Sequence, residues 1–366
     1  MSDLQSVYRG AMLGLAVGDA MGYTVDSRSW TEIQEDYGPN GLLGYDLVNG
    51  YADVTSYTQL AAFTCNGLLL GLTRGQMQGK MAPLVRYVGL SHREWAASQR
   101  PWGRPEKTFC WLIRRREICR RHCMDTWMLD TLTRPKLGTP EEPTNHFSSP
   151  GSITAGLAVG LSVPPEQMEQ EEIDRLGAEA VALTHGSPLA FLPGAVLAHL
   201  MSSLLQNQDA PLEALILQAA DAVEEEFGRQ YVQAAEVKTL IHQAVEMSHD
   251  WKQKPVDVME KLRCESGAEV LAGAVYATLV GKDDFDTAMI ISVNHSGRSA
   301  AVGAITGSIL GAWMGAEALP EFYLECLEPG LLLVELADDL FQGCPMEAGD
   351  IFFDDDWDRK YLQGGK

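Results

Sequence analysis

The chain has 366 residues, 46% of them hydrophobic, which is enough to bury a sizeable core in two average domains or one large helical domain. Its 28 Lys and Arg against 50 Asp and Glu give a net charge of −22, a surface that repels phosphate backbones and argues against DNA or RNA as a partner. Seven irregularly spaced cysteines fit a reducing, cytoplasmic setting better than a disulfide framework, and the opening Met-Ser-Asp-Leu-Gln does not read as a signal peptide.

Helical periodicity begins at once, with Leu4, Val7, Ala11, Met12 and Leu15 on one face. The same segment carries Gly10, Gly14, Gly18 and Gly22 at strict four-residue spacing. Residues four apart form one ridge of a helix surface, so this ridge has no side chains and another backbone can come close. Each glycine costs about 0.8–1 kcal/mol of helix propensity relative to alanine, so a tight contact is needed to offset four of them. The stretch 59–72 reads as a mostly buried helix. Further helices are expected over 165–183, 188–205, 212–227, 230–249, 268–279, 285–293, 300–314 and 331–341. Residues 134–151, with Pro135, Pro140, Pro143 and Pro150, read as a long surface loop of the kind more often functional than idle.

A second glycine ridge, Gly303, Gly307, Gly311 and Gly315, lies in the uncharged run 299–316. That run has the glycine spacing of membrane helix pairs, yet it consists mainly of small residues between Arg298 and Glu317. We read it as the buried central helix of a soluble protein, with no membrane partner. No run of alternating β-branched residues demands a sheet, so the predicted class is all-α, a single domain over 1–366. The acidic tail 350–366, with Asp350 and Asp354 to Asp356, reads as a solvated terminus.

Polar residues flank both ridges, Asp19 and Asp26 at the first and Asn294 to Ser299 before the second, and they are the first candidates for a site. Two other clusters invite a functional reading. Cys110, Cys119, His122 and Cys123 lack a second Cys pair for structural zinc, and Cys119 and Cys123 are expected to be helical neighbours. Arg114, Arg115, Arg116, Arg120 and Arg121 form a basic patch, read as a solvated helix face or as a dock for an acidic partner or a nucleotide phosphate.

Taken together, the segments resemble the ADP-ribosylglycohydrolase family. Tyr8 to Gly22 is similar to the family's opening G-x-x-x-G-x-A-x-G-D-A-x-G. Val54 to Ala61 falls at its S/T-D-D-T segment and Trp95 to Gln99 at its W-x-x-T-Q. Asn145 to Leu161 follows N-x-S-x-G-x-G-x-x-M-R-x-x-P-x-G-L, and Leu183 to Pro188 follows T-H-x-x-P. Asn294 to Gly315 resembles N-H-x-G-D-x-D-T-x-x-x-I-x-G-x-x-x-G. The resemblance implies an all-helical fold and removal of ADP-ribose from proteins. It also implies two magnesium ions held by aspartates and threonines of the second and last motifs.

The departures fall on those metal positions. Thr55, Ser56, Tyr57 and Thr58 stand in one motif and Arg298, Ser299, Ala300 and Ala301 in the other, so two threonines persist and all four metal-binding carboxylates are gone. Magnesium is a hard cation that prefers oxygen ligands including carboxylates, so no metal cofactor is expected. Thr154 and Ala155 replace the M-R pair. Asp26 stands where the family has a glutamate that assists cleavage, with its reach shortened by one methylene, about 1.5 Å; the alternative is an N-capping or surface aspartate.

Arg298 is expected either to pair with Asp19 or Asp26 or hold a ligand's phosphate or carboxylate, or else to point to solvent. Tyr57 is expected to fill the vacated metal space or stack on a base or ribose, and His185 and His295 to satisfy backbone groups.

A pocket is expected between the two glycine-ridged helices, roofed by the Asn145–Gly151 loop. Its candidate ligand contacts are Asp19, Thr55, Ser56, Tyr57, Thr58, Asn145, Gly151, Asn294, His295, Ser296, Gly297, Arg298 and Ser299, with Asp26 as the candidate catalytic group. The expected ligand is ADP-ribose or a related nucleotide or small anion, with an ADP-ribosylated protein as a possible partner. Metal-independent cleavage of an ADP-ribosyl bond and a non-enzymatic interaction role are the alternatives.

Overall fold

The computed structural model describes residues 4–101, 108–349 and 353–365. Among these, the first quarter contains α1 (Leu4–Tyr23), α2 (Trp30–Tyr37), α3 (Ser56–Gln78) and α4 (Leu84–Ser98). After a single 3-10 turn at Trp111–Arg114 come α5 (Trp127–Leu132), α6 (Thr154–Ser162), α7 (Gln170–Ala182) and α8 (Pro188–Gln206). Then follow α9 (Leu212–Phe227), α10 (Gln233–Ser248), α11 (Pro255–Leu262), α12 (Gly267–Val280), α13 (Phe285–Val293) and α14 (Ser299–Met314). The chain closes with α15 (Glu321–Leu324), α16 (Gly330–Gln342) and α17 (Asp355–Tyr361). Among the described residues there is no sheet, only isolated bridges at Val48↔Tyr51 and Ala52↔Leu327, so the class is all-α.

The strongly periodic segments fold as their spacing predicts, and α9 and α13 match their expected limits. Helix α6 escaped detection because it is buried on every side, so its sequence carries no amphipathic period. The acidic tail is not simply a solvated terminus. Asp354 accepts a hydrogen bond from the Trp357 backbone N–H at 2.8 Å, and the α17 it caps buries Trp357 and Tyr361. Asp350 lies outside the described residues.

Helices α1 and α14 form the most extensive helix pair in the fold, and they run antiparallel. Gly10 lies on Gly311, Gly14 on Gly307 and Gly18 on Gly303, so closely that a methyl group on any of them would overlap the facing carbonyl oxygen. Gly22 lies against the backbone of Ser299 and Ala300. Gly315 does not join the ridge. It ends α14 with φ +83°, a conformation that favours glycine. Backbone touches backbone along this seam, which leaves no pocket between the two helices; that expectation is corrected. What the seam positions is its end, where α1 runs out into Asp26 and α14 begins after Arg298.

Helix α8 is long and apolar enough to cross a membrane by length and composition, but most of it is buried among other helices, including α6, α7 and α9.

Candidate functional site

Two aspartates near the end of α1 have different fates. Asp19 is fully buried and accepts four hydrogen bonds. Two come from the backbone N–H groups of Thr55 and Thr58, at 2.9 and 3.0 Å, and two from their hydroxyls, each at 2.6 Å. It thereby closes the N-terminus of α3, where orphan N–H groups and the helix dipole favour an anion. Burial nevertheless raises its carboxyl to about 6, with the four donors pulling the other way. Asp19, Thr55 and Thr58 saturate one another, so they form a joint between helices.

Asp26 reaches across the seam. Its Oδ1 accepts from the Ala300 N–H at 3.0 Å, in the first turn of α14, and its Oδ2 accepts from the Ser27 hydroxyl at 3.0 Å. Its role as an N-cap is thus exercised on a helix remote in sequence. Burial is the main influence on its carboxyl and raises its pKa, with Arg298 opposing.

Arg298 is the centre of the cluster. One Nη donates to Asp125 Oδ1 at 3.0 Å and to the Tyr57 hydroxyl at 3.3 Å, while Nε stands 3.6 Å from Asp26 Oδ2. The Arg298 side chain is 16% exposed, against 3% for Asp26 and 9% for Asp125. The solvent-pointing alternative is therefore corrected, and the partners are Asp26 and Asp125, not Asp19. Tyr57 is fully buried, so it fills space beneath the guanidinium and offers no ring face to a ligand. Thr154, at the M-R position, donates to the Tyr57 carbonyl at 2.7 Å.

Asp125 also accepts from Ser149 at 2.7 Å, and its Oδ2 lies 3.5 Å from His185 Nε2. Although burial opposes ionisation, His185, Arg298 and Ser149 together hold its carboxyl well below the usual range. Burial lowers the pKa of His185, whose Nδ1 lies 2.8 Å from both Ser152 and Thr184 hydroxyls. His185 thus bonds side chains rather than the backbone groups expected. The Asp125–His185–Ser152 order has the outline of a nucleophilic triad, but Ser152 is fully buried and donates to the Val181 carbonyl. A side chain at Gly151 would overlap Asp125 and His185, which gives that glycine its steric reason.

The other candidates serve the architecture. Asn145 Nδ2 donates to the Thr184 carbonyl at 2.6 Å, and its Oδ1 accepts from the Phe147 and Gly186 N–H groups. Asn294 pins Leu42 by two bonds of 2.8 Å. His295 bridges the Ser292 carbonyl and the Gly297 N–H, as expected, and burial lowers it to about 4. Ser296 accepts from the Trp30 N–H, and the Gly297 carbonyl accepts from Ser27 N–H. Ser299 donates weakly to the His295 carbonyl at 3.4 Å, and Ser56 accepts from the Met124 N–H at 3.1 Å. Of the predicted site residues, only Asp26, Tyr57, Arg298 and Gly151 meet at the charged centre.

These residues do not fit a pair of magnesium ions. A guanidinium sits between Asp26 and Asp125, and a dication beside it would be repelled by several kcal/mol at close range. Among the described residues no three His, Cys, Asp or Glu side chains are grouped to hold a metal. Cys119 and Cys123 are not helical neighbours, because no helix spans 115–123. The arginine patch is likewise no helix face. Arg115 pairs with Glu117 and Glu335, and Arg120 with Asp53 and Glu328, while Arg114 donates to the Gly364 carbonyl.

Sequence reasoning missed Asp125, Ser149 and Trp127. Trp127 packs tilted against Phe147 at 3.9 Å between centroids and meets His185 edge-on, while Phe147 stays 47% exposed. No local pattern around residues 120–127 announces Asp125 and Trp127, whereas Ser149 lies inside the 145–151 loop already singled out.

A solved structure titled "ADP-ribosylglycohydrolase-related protein complex" matches with a TM-score of 0.59 and 22% identity. The match covers 93% of this chain and 98% of that one, a likeness of fold. No curated protein matches in sequence. A family model described as ADP-ribosylglycohydrolase matches residues 1–349, and the chain belongs to the ADP-ribosylglycohydrolase family.

Proposed function

We propose that this protein binds a ribose-bearing nucleotide of the ADP-ribose kind at the charged end of the α1–α14 seam, without divalent metal and without the family's turnover. The observation that carries this reading is the Arg298 guanidinium held among Asp125, Tyr57 and Asp26. A resident cation there takes over charge compensation from the metal ions of relatives. The guanidinium, 16% exposed where the two carboxylates are 3% and 9%, is the group of this centre most open to a ligand's phosphate. The aromatic pair Trp127 and Phe147 offers a surface on which a base can stack.

A second reading, metal-free cleavage of an ADP-ribosyl bond, rests on Asp26, whose carboxyl is raised by burial as a proton donor requires. The same guanidinium, 3.6 Å away, opposes the positive charge that develops on the sugar as the bond breaks, and so favours binding over hydrolysis.

Thermal unfolding with ADP-ribose, in EDTA and again in excess magnesium, tests the first reading. The expected result is the same upward shift in both. A shift that needs magnesium, or no shift with ADP-ribose at all, refutes it. Chelator-resistant release of ADP-ribose from a modified protein, abolished by Asp26→Asn, would establish cleavage instead.

A further inference from the structure

The segment 108–127 brings Asp125 and Trp127 to the site, yet its backbone has little regular structure before α5. At its start Glu94 accepts from the N–H groups of Phe109 and Cys110, at 2.6 and 3.0 Å. Near its end Ser56 donates its N–H to the His122 carbonyl and accepts from the Met124 N–H. Between these anchors Gln59 and Gln99 hold the Arg120 carbonyl and Asp53 and Glu328 its guanidinium, while the first part of the strap, 108–115, is held from outside by the other end of the chain.

Arg114 Nε donates to the Gly364 carbonyl at 3.1 Å, and Gly364, with φ +64°, is pressed against the Thr108 backbone. The Lys360 ammonium lies 5.2 Å over the Trp111 ring while pairing with Glu335 and Asp339, each at 2.8 Å. Glu335 also reaches Arg115 at 3.4 Å. Helix α17 is itself seated by two buried aromatics four residues apart. Trp357 Nε1 donates to Thr73 at 3.0 Å, and the Tyr361 hydroxyl donates to Asp339 at 2.6 Å. This chain end lies past residue 349, where the family match stops.

We propose that residues 353–365 form a clasp, with Trp357 and Tyr361 as positioning residues, that holds the 108–127 strap so that Asp125 meets Arg298. The inference stands on geometry at the strap and does not depend on which ligand the site takes.

Hydrogen exchange of the full-length protein tests it, comparing the double variant Trp357→Ala/Tyr361→Ala with wild type and with Trp357→Phe. Releasing the clasp is expected to speed exchange over 108–127 by about tenfold or more, while 299–314 stays protected. Mapped thiol labelling of half-buried Cys123, which donates to the Asp125 carbonyl, is expected to accelerate in parallel. Trp357→Phe should keep both slow. Acceleration confined to 353–365, or spread evenly over the whole chain, overturns the proposal. In the first case the strap holds itself, and in the second α17 belongs to the global core.

Discussion

The α1–α14 contact has a middle and an end that obey different rules. In the middle, Gly10, Gly14 and Gly18 face Gly311, Gly307 and Gly303, and nothing but backbone fills the interface. At the end, one turn beyond Gly22, the interface is built from charge, with Asp26 crossing to Ala300 and Arg298 tied to Asp125. The middle tolerates no added atom. The end gathers an arginine and two carboxylates without disturbing the seam. A rigid geometric scaffold thus carries a charged terminus.

The largest effect should come from breaking the middle. Gly14→Val or Gly307→Val puts branched carbon where a carbonyl oxygen lies, and no rotamer relieves that overlap. A loss of about 4 kcal/mol or more, or failure to fold, is expected in denaturant titration. Gly44→Val, with open space around it, should stay within about 0.5 kcal/mol. Equal effects at both positions would contradict the backbone seam.

At the charged end, Arg298→Met leaves Asp26 and Asp125 without their shared counter-charge and should cost about 3 kcal/mol. The loss should shrink on mild acidification, as the carboxylates take up protons. Asp19→Asn is expected to cost about 2–3 kcal/mol, because one carbonyl oxygen and an amino group then face four donors. That variant needs no acid rescue, which separates the donor-saturated joint from the ion-paired centre.

The pH dependence sharpens the contrast through opposite slopes. Asp125 has a folded pKa below its unfolded value, so its stabilising contribution is present above about pH 4 and is lost as pH falls. Asp125→Asn should flatten the acid limb of the melting-temperature profile. Asp19, raised to about 6 in the folded state, gives up stability as pH rises from its unfolded value through that point. Asp19→Asn should remove this decline. Slopes of the same sign for the two aspartates would refute the assignment.

The smallest effect is expected at the rim. Trp127→Ala should weaken ADP-ribose binding by about tenfold, the usual scale of one aromatic contact, with a melting temperature close to wild type. Unchanged affinity in isothermal titration would remove Trp127 from the binding surface.

Much of the scaffold was legible because glycines at fixed spacing have few other reasons to persist in a helix. Pairing of Arg298 with Asp26 was legible as one of its two expected settings, and Tyr57 as a buried filler. Asp19 misled, since its retention looked like a remnant of ligand binding while its four donors come from a helix terminus remote in sequence. Asp125 could not be read, because its importance lies wholly in the fold that brings it to Arg298. The α17 signal was present and overlooked: a capping aspartate three residues before Trp357, and Tyr361 four residues later on the same face.

The glycine seam also acts as a keyed shaft. Sliding one helix past the other by a single residue would drive Ala, Val or Leu side chains into the opposing backbone, and the next permitted setting lies about 6 Å away, four helical rises along. Axial play between the two partners is therefore removed, and whatever the charged terminus grips is presented at one fixed gauge.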